Sequence, residues 1–425
     1  MDLGGEMRGV LWRLCWGLVL TGCLGANGYA QKALTWAEVR GRFQAANPTL
    51  QAGQLGVDES KAGEITAYLR PNPTATFLAD QIDPFPGGPS HGPFAYWLPS
   101  ATVTYLHERQ HKRELRLETA RDVTKVAVSE QSDLERNLLF TLRSAFVGTL
   151  QAKAVLQVAK DNLDYWDKVL RISRDRFQAG DIAQIDLDRL ELQRVQFESD
   201  LQTAEVNLRT SKIQMLMLLN DRTPVEQFDV LGLFEYNEQL SPLEDFRKIA
   251  LDNRPDLRAA LQSVDTAKAA HKLAVANGST DPTFGVDAGR NPPIDEYFGV
   301  SVSIPLRIFD RNQGEKQRTQ LDIDRNQRLA DAAQAQVFND VDSAYTVVNS
   351  NLILLRPYKA RYLAQAVRVR ETVRFAYEHG GASLLDFLNA ENDFRSVQLN
   401  YVNLVGAYLT AAAQLNLAVG REAMQ

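Results

Sequence analysis

The run His107-Glu108-Arg109-Gln110-His111 satisfies H-E-x-x-H, the pattern in which two histidines one helical turn apart hold zinc and the glutamate activates a water. Three features of the sequence oppose that chemistry. A third ligand is missing: Glu114 and Leu117 stand where the longer motif has Gly and His, and the other histidines are His91, His271 and His379. Glu130 and Glu135 sit at suitable spacings but on the same continuous helix, about 30 Å away by rise per residue. The run also aligns, through Gln110 and Gln313, with residues 310–314, where neither the two histidines nor the glutamate recurs. A zinc hydrolase is therefore the least favoured of three readings; capture of a passing transition metal by His107 and His111 asks less of the two histidines.

Cysteine chemistry is excluded from the body of the chain, because its two cysteines are Cys15 and Cys23. A formal charge of -6 also argues against a nucleic-acid binder, which needs a basic face to neutralise phosphates. Around the cysteines, Arg8 and Arg13 precede a short apolar stretch, residues 14–20. That is far below the roughly 20 apolar residues that span a bilayer, so residues 1–22 read as a secretory signal. Asp2 and Glu6 are foreign to such a signal, which makes Met7 an alternative start. Leu20-Thr21-Gly22-Cys23 matches a lipobox, with Cys23 lipidated as the mature N-terminus; cleavage after Ala30 is the other possibility.

The elements that position these residues occur in duplicate. Residues 48–67 align without gaps on 255–274, with eight identities in twenty, among them Pro48/Pro255, Val57/Val264, Asp58/Asp265 and Lys61/Lys268. Later the offset becomes 200: Gly180 matches Gly380, Asp186 matches Asp386 and Glu191 matches Glu391. After each set comes a series of period 3.5, Leu187, Leu190, Arg194, Phe197, Leu201 in one and Phe387, Ala390, Phe394, Val397, Tyr401 in the other. Such a seam marks helices packed side by side along their length.

Two units follow, residues 23–242 and 243–425, with 221–242 as the link. Each reads as helix, two strands, very long helix, tight turn and return helix. The first copy places these at 36–69, 74–82 with 95–106, 107–177 and 181–220. The second places them at 255–277, 283–290 with 297–305, 310–378 and 383–419. A helix of about 70 residues reaches about 105 Å, which no compact domain contains. Pro357 lies inside the second long helix and predicts a kink near Arg356.

The strands alternate apolar with small polar residues, as in Phe298, Val300, Val302 and Ile304 against Gly299, Ser301 and Ser303. Over 9–11 positions this is the pattern of a lipid-facing barrel strand, although Pro99 weakens it locally. A half-buried strand of a soluble sheet alternates in the same way. Hairpins joined to about 100 Å of helix, however, have no apolar partner within the chain. A bilayer admits no open sheet edge and a barrel needs about eight strands, so four strands require other protomers. The loops 83–93 and 291–295 are rich in Pro and Gly, and Phe94, Tyr96 and Trp97 suit an interfacial aromatic girdle or a packed core equally well.

Export signal, tandem repeat, the N-P-x-L and R-P-D-L helix starts, paired hairpins, Ile304-Pro305-Leu306 with Phe309-Asp310-Arg311-Asn312-Gln313-Gly314, and the repeated Phe/Tyr-x-x-Gly turn resemble the TolC-type outer membrane efflux family. The resemblance covers about residues 34–420, and the Phe309 to Gly314 run is most similar to the outer membrane components of heavy-metal resistance pumps. It implies a mainly α fold with a small β part: a long-helix α-barrel plus four transmembrane strands per protomer, closed as a trimeric 12-stranded barrel. It also implies a passive duct with no enzymatic activity and no cofactor, a homotrimer in outer membrane lipid that extends into the periplasm. Its implied partners are a periplasmic adaptor and an inner membrane pump of the RND type.

Residue by residue, Asp386 occupies the family's aspartate position near the periplasmic end, while Asn389 stands where some relatives carry a second aspartate. Asp186 and Arg189 hold the matching places in the first repeat. Three copies of Asp386 around an axis would concentrate negative potential and attract cations; an Asp shortly after a turn also stabilises a helix N-terminus with no further role. The implied adaptor-contacting tips are Phe177, Gly180 and Asp181, with Tyr377, Gly380 and Gly381. Glycine ends a helix through its left-handed conformation whether or not a partner binds. The remaining alternative is a periplasmic coiled-coil interaction protein whose hairpins dock on a partner without crossing lipid.

Overall fold

A computed structural model describes residues 33–82, 94, 96–291 and 293–424. The signal at 1–22, Cys23, the Ala30 cleavage point, His91 and the loop 83–93 lie outside the described residues.

The first helical stretch is broken where the sequence reads as continuous. Helix α1 (Trp36–Ala46) starts on a capping box between Thr35 and Glu38, and α2 (Pro48–Tyr68) follows after a single residue. That residue, Asn47, ends one helix and caps the next: its Oδ1 accepts from the amides of Thr49 (3.0 Å) and Leu50 (3.1 Å), and Pro48 needs no donor at the first helical position. Strands β1 (Thr74–Asp80) and β2 (Leu98–Leu106) come next, then α3 (Lys112–Ala179) of 68 residues and its return α4 (Gln184–Leu218).

The second half repeats this order with one element that the sequence reading passed over. Helix α5 (Leu243–Asn253) precedes α6 (Pro255–Asn277), as α1 precedes α2. The junction is now Arg254, buried and bonded to Asp256, Asp340 and the Ala418 carbonyl. Strands β3 (Thr283–Asn291) and β4 (Ile294–Ser303) lead into α7 (Gln313–Pro357). The expected kink near Arg356 is a π-helical turn at Tyr358–Tyr362, immediately after the proline, where the Leu363 amide reaches back to the Tyr358 carbonyl. A ladder missing one donor is relieved by widening the next turn. Helices α8 (Leu363–Glu378) and α9 (Leu384–Val419) complete the chain.

The four strands form one antiparallel sheet in the order β1-β2-β3-β4. Near the sheet α3 packs on α2 and α6, and α6 on α7; farther away α3 packs on α4 and α9, and α9 on α7 and α8. The chain is thus a long single-layer wall. Its borders are β1, α2 and α4 on one side and β4, α7 and α8 on the other.

Two equivalent cores lie midway along the wall. Val39, Phe43, Phe146 and Val230 anchor one, and Phe246, Ala250, Val341 and Tyr408 the other. The link at 221–242 is part of them: Leu34 forms a parallel bridge with Val230, and Val225–Gln227 make a short 3-10 turn. Helix α9 is apolar and long enough to cross a membrane, but Val405, Tyr408, Leu415 and Val419 spend that apolar surface inside the second core.

Candidate functional site: a two-faced sheet and paired turns

The strand register sorts the side chains by chemistry. Ala75, Val103, Val286 and Val300 stand opposite one another in a row across all four strands, and Phe77, Ala101, Ala288 and Phe298 form the next row on the same face. Tyr105, Phe284 and Val302 extend it. The alternate rows are Thr76, Thr102, Asp287 and Gly299, then Thr74, Thr104, Gly285 and Ser301. Leu78 is an apolar exception among them.

Phe298 is 74% exposed and Val300 77%, so nothing among the described residues covers the apolar face. In water a contiguous apolar face of this kind is unfavourable, at roughly 25 cal/mol for each Å²; against hydrocarbon it is at rest. Pro99 sits at the start of β2 opposite Ala79, where a missing donor interrupts the ladder least. At the far end of the sheet Phe94 packs edge-on against Trp97 at 6.0 Å, and Phe94 and Tyr96 are exposed.

At the opposite end the H-E-x-x-H run is a junction and its histidines are not on a helix. The helix expected from His107 begins at Lys112, and Gln110 and His111 both adopt left-handed backbone conformations. His107 donates its amide to the Pro282 carbonyl, while the His111 ring stands in solvent. Glu108 is held by both terminal nitrogens of Arg116, which also reaches the Ala67 and Leu69 carbonyls. The carboxylate that would activate a zinc-bound water is occupied in tying the β2–α3 corner to α2. Lys112, almost fully buried, bonds Asp281 at 2.6 Å and the Ser279 carbonyl at 3.0 Å. The structural partner of His111 is Asn312, left-handed in the same way ahead of α7, so the register of the repeat here differs from the Gln110–Gln313 alignment.

The paired turns share one hydrogen-bond pattern. The amide of Gly180 donates to the Phe177 carbonyl and that of Asp181 to Arg176; the amide of Gly380 donates to Tyr377 and that of Gly381 to Ala376. Gly180 and Gly380 have φ of 84° and 76°, where an added Cβ is strained. Phe177 is half-buried. The Tyr377 ring stacks on Phe387 at 5.0 Å, with the Arg176 guanidinium 5.4 Å from its centre.

Asp386 is exposed in the first turn of α9 and closes a capping box: the Ser383 hydroxyl donates to its carboxylate at 2.6 Å, and its own amide donates to Ser383 at 3.2 Å. These bonds from Ser383 hold the Asp386 carboxyl below the usual carboxylate value. Asn389 is exposed one turn on. In the first repeat Ala183 replaces the capping serine, so Asp186 has no such bond; it is half-buried and acts electrostatically on Tyr377, and Arg189 is exposed.

Sequence reasoning missed what joins the two hairpins above these turns. Trp166 of α3 is fully buried, donates to the Leu190 carbonyl at 3.0 Å, and lies between Phe197 (5.0 Å) and Phe387 (6.0 Å). With Tyr377 these rings form one aromatic column through α3, α4, α8 and α9. Beside it Tyr165 donates to Glu391 at 2.8 Å, and burial pushes the Glu391 carboxyl up. The available signal was a tryptophan inside a heptad seam.

Residues 247–421 match the sequence profile described as outer membrane efflux protein. That stretch of the chain is similar to outer membrane efflux proteins. The chain is 21% identical over 377 residues to the cobalt-zinc-cadmium resistance protein CzcC of Cupriavidus metallidurans, covering 88% of this chain and 87% of that protein. To the outer membrane efflux protein BepC of Brucella suis it is 22% identical over 303 residues, 68% of this chain and 64% of the other. The fold is shared with solved structures. CusC superposes with a TM-score of 0.77 at 16% identity over 91% of this chain and 92% of that one. The outer membrane channel OprN gives 0.75 at 15% identity over 91% and 89%. The outer membrane protein VceC of Vibrio cholerae gives 0.74 at 14% over 91% and 96%. BepC is thus an outer membrane efflux protein, OprN an outer membrane channel and CzcC a resistance protein.

Proposed function

We infer that three copies of this chain close into a passive export duct across the outer membrane of a Gram-negative cell. The observation that carries this reading is the sheet register, which puts an uncovered apolar face on one side and Ser, Thr, Gly and Asp on the other. A sheet with free borders at β1 and β4 is closed by pairing β4 of one copy with β1 of the next, and three copies give a barrel of 12 strands. The helical wall closes in the same sense, α2 and α4 against α7 and α8 of the neighbour, and continues the duct through the periplasm.

The two units, 23–242 and 243–425, each contribute one β-hairpin to the barrel and one helical hairpin to the periplasmic end. The turns at Phe177, Gly180 and Asp181 and at Tyr377, Gly380 and Gly381 meet a periplasmic adaptor coupled to an inner membrane pump of the RND type. Asp386 and Asn389, with Asp186 and Arg189, line the constriction there. Cys23 carries a lipid that anchors the mature N-terminus. The cargo is a divalent metal cation, a reading supported by the alignment with the cobalt-zinc-cadmium resistance protein and by the exposed Asp386.

Reconstitution of the purified protein into planar bilayers tests the duct. The expected result is a heat-sensitive trimer in detergent extracts of the outer membrane with stepwise conductance. Release of a monomer by high salt, without conductance, would instead identify a periplasmic coiled-coil interaction protein. Cys23→Ser is expected to abolish incorporation of labelled fatty acid; cleavage after Ala30 leaves nothing to label.

A further inference from the structure

Midway along the wall an open cavity of about 1040 Å³ lies over the seam between α3 and α9. Leu139, Arg143 and Phe146 of α3 and Leu409 and Ala413 of α9 form its floor, and Trp36, residues 232–233 and 235–238, and Glu422 surround it. Its volume is at the upper end of small-molecule sites, which run to about 1,000 Å³.

The cavity faces away from the duct. Away from the cavity, Asn137 and Thr141 are exposed on α3 and Asn400, Asn403 and Gln414 on α9, with Gln151 bonded to Asn403 at 3.0 Å, while Ser132 is exposed on the cavity side. At 100° per residue Arg143 stands about 160° round the helix from Thr141. The polar stripe therefore lies on one surface of the wall and the cavity on the other. The α3–α9 seam is also interior to the wall, away from both borders, so ring closure leaves the cavity open.

Arg143 gives the cavity its chemistry. Its guanidinium lies 4.6 Å from the centre of the Trp36 ring and 5.7 Å from that of Phe146, and no carboxylate among the described residues pairs with it. Glu422, the carboxylate that acts on it at a distance, is engaged by the Trp36 indole (3.2 Å) and by Arg40 (3.5 Å). Of the neighbouring cations, Arg136 is satisfied by Asp133 and the Leu417 carbonyl and Lys359 by Glu238, while Arg421 is exposed at the rim. Glu235, exposed on the far wall, makes no ion pair with Arg143. Burial draws the Arg143 guanidinium below the usual arginine value. A guanidinium stacked over two neighbouring rings, with no ion pair of its own and its one nearby carboxylate already engaged, keeps its donors for an incoming anion.

We propose that this cavity binds an organic anion with a flat apolar body, its carboxylate or sulfonate on Arg143 and its body against Leu139, Phe140 and Trp36. The outward orientation rests on the duct reading; the cavity and its unpaired cation do not.

Calorimetric titration of the protein in lipid nanodiscs tests this, with 2-naphthylacetate as the anion, 2-naphthylacetamide as its neutral analogue and empty nanodiscs as the blank. The expected result is saturable binding of the acid, with the amide about tenfold weaker for want of the charge-assisted bond. Arg143→Gln is expected to bring the acid down to the level of the amide and leave the amide unchanged. Leu233→Glu, on the exposed rim, puts a negative charge at the mouth without touching the core; it is expected to weaken the acid alone. Equal affinity for the two probes, indifference to both substitutions, or no heat above the blank would overturn the proposal.

Discussion

The Tyr165 hydroxyl donates to Glu391 across 2.8 Å, and that bond joins the long helix of the first repeat to the return helix of the second. Glu391 is almost fully buried, and burial raises its carboxyl above the ordinary value of 4.5 while Tyr165 and Arg370 pull it down. The folded protein therefore holds a proton that the unfolded chain has released, and stability from this group falls as pH rises from 4.5 through the folded value. Melting of the end that carries the Gly180 and Gly380 turns is expected to move upward on mild acidification, and Glu391→Gln is expected to flatten that dependence. Tyr165→Phe removes a donor from a buried carboxylate, at a cost of about 1–3 kcal/mol, and steepens it. A melting curve in the variant that tracks wild type at every pH would exclude Glu391 as its source.

The sheet register makes opposite demands on adjacent residues. Val300→Arg places a charge on the uncovered apolar face and is expected to cost about 2–4 kcal/mol near the bilayer midplane. Ser301→Arg, one residue on and facing the other way, is expected to assemble nearly as wild type. The yield of heat-sensitive trimer in outer membrane fractions reads the difference, and equal yields would put the sheet outside lipid.

Ser383 and Asp386 serve the helix start and its charge together. Ser383→Ala is expected to cost about 1 kcal/mol through the lost cap, read as faster amide exchange in the first turn of α9. With Ser383 present the depressed Asp386 carboxyl keeps its charge above its folded pKa and loses it as pH falls through that value, below the usual carboxylate range. Cation preference of the conductance is expected to persist correspondingly far into acid, and to vanish in Asp386→Asn. An unchanged reversal potential in that variant would remove Asp386 from the constriction.

One substitution takes opposite signs at two glycines. Gly180 is left-handed, and Gly180→Ala is expected to destabilise its turn by about 1–2 kcal/mol. Gly41 lies inside α1 with open space around the position of an added Cβ, so Gly41→Ala is expected to stabilise by about 0.5–1 kcal/mol. Thermal melting of the two variants checks both signs.

Much of this was legible in the chain because it is periodic. A 3.5-residue seam specifies long paired helices wherever it occurs, alternation specifies a two-faced strand, and Gly180 and Gly380 specify their turns by conformation alone. The Asn47-Pro48 helix start was visible but did not split the stretch 36–69, because an Asn-Pro pair joins two helices only when the side chain finds both amides and, beyond them, the Leu218 carbonyl. His107 and His111 carried a catalytic pattern that a left-handed corner and Arg116 cancelled.

Glu191 and Glu391 show the limit most directly. They are the same residue at the same place in the repeat, yet Glu191 pairs with Arg174 in solvent and Glu391 is buried against Tyr165. Local sequence determines backbone period, caps and the face a side chain points from. Which helix packs across that face, and so which charges lose water, is decided only when segments more than 200 residues apart meet.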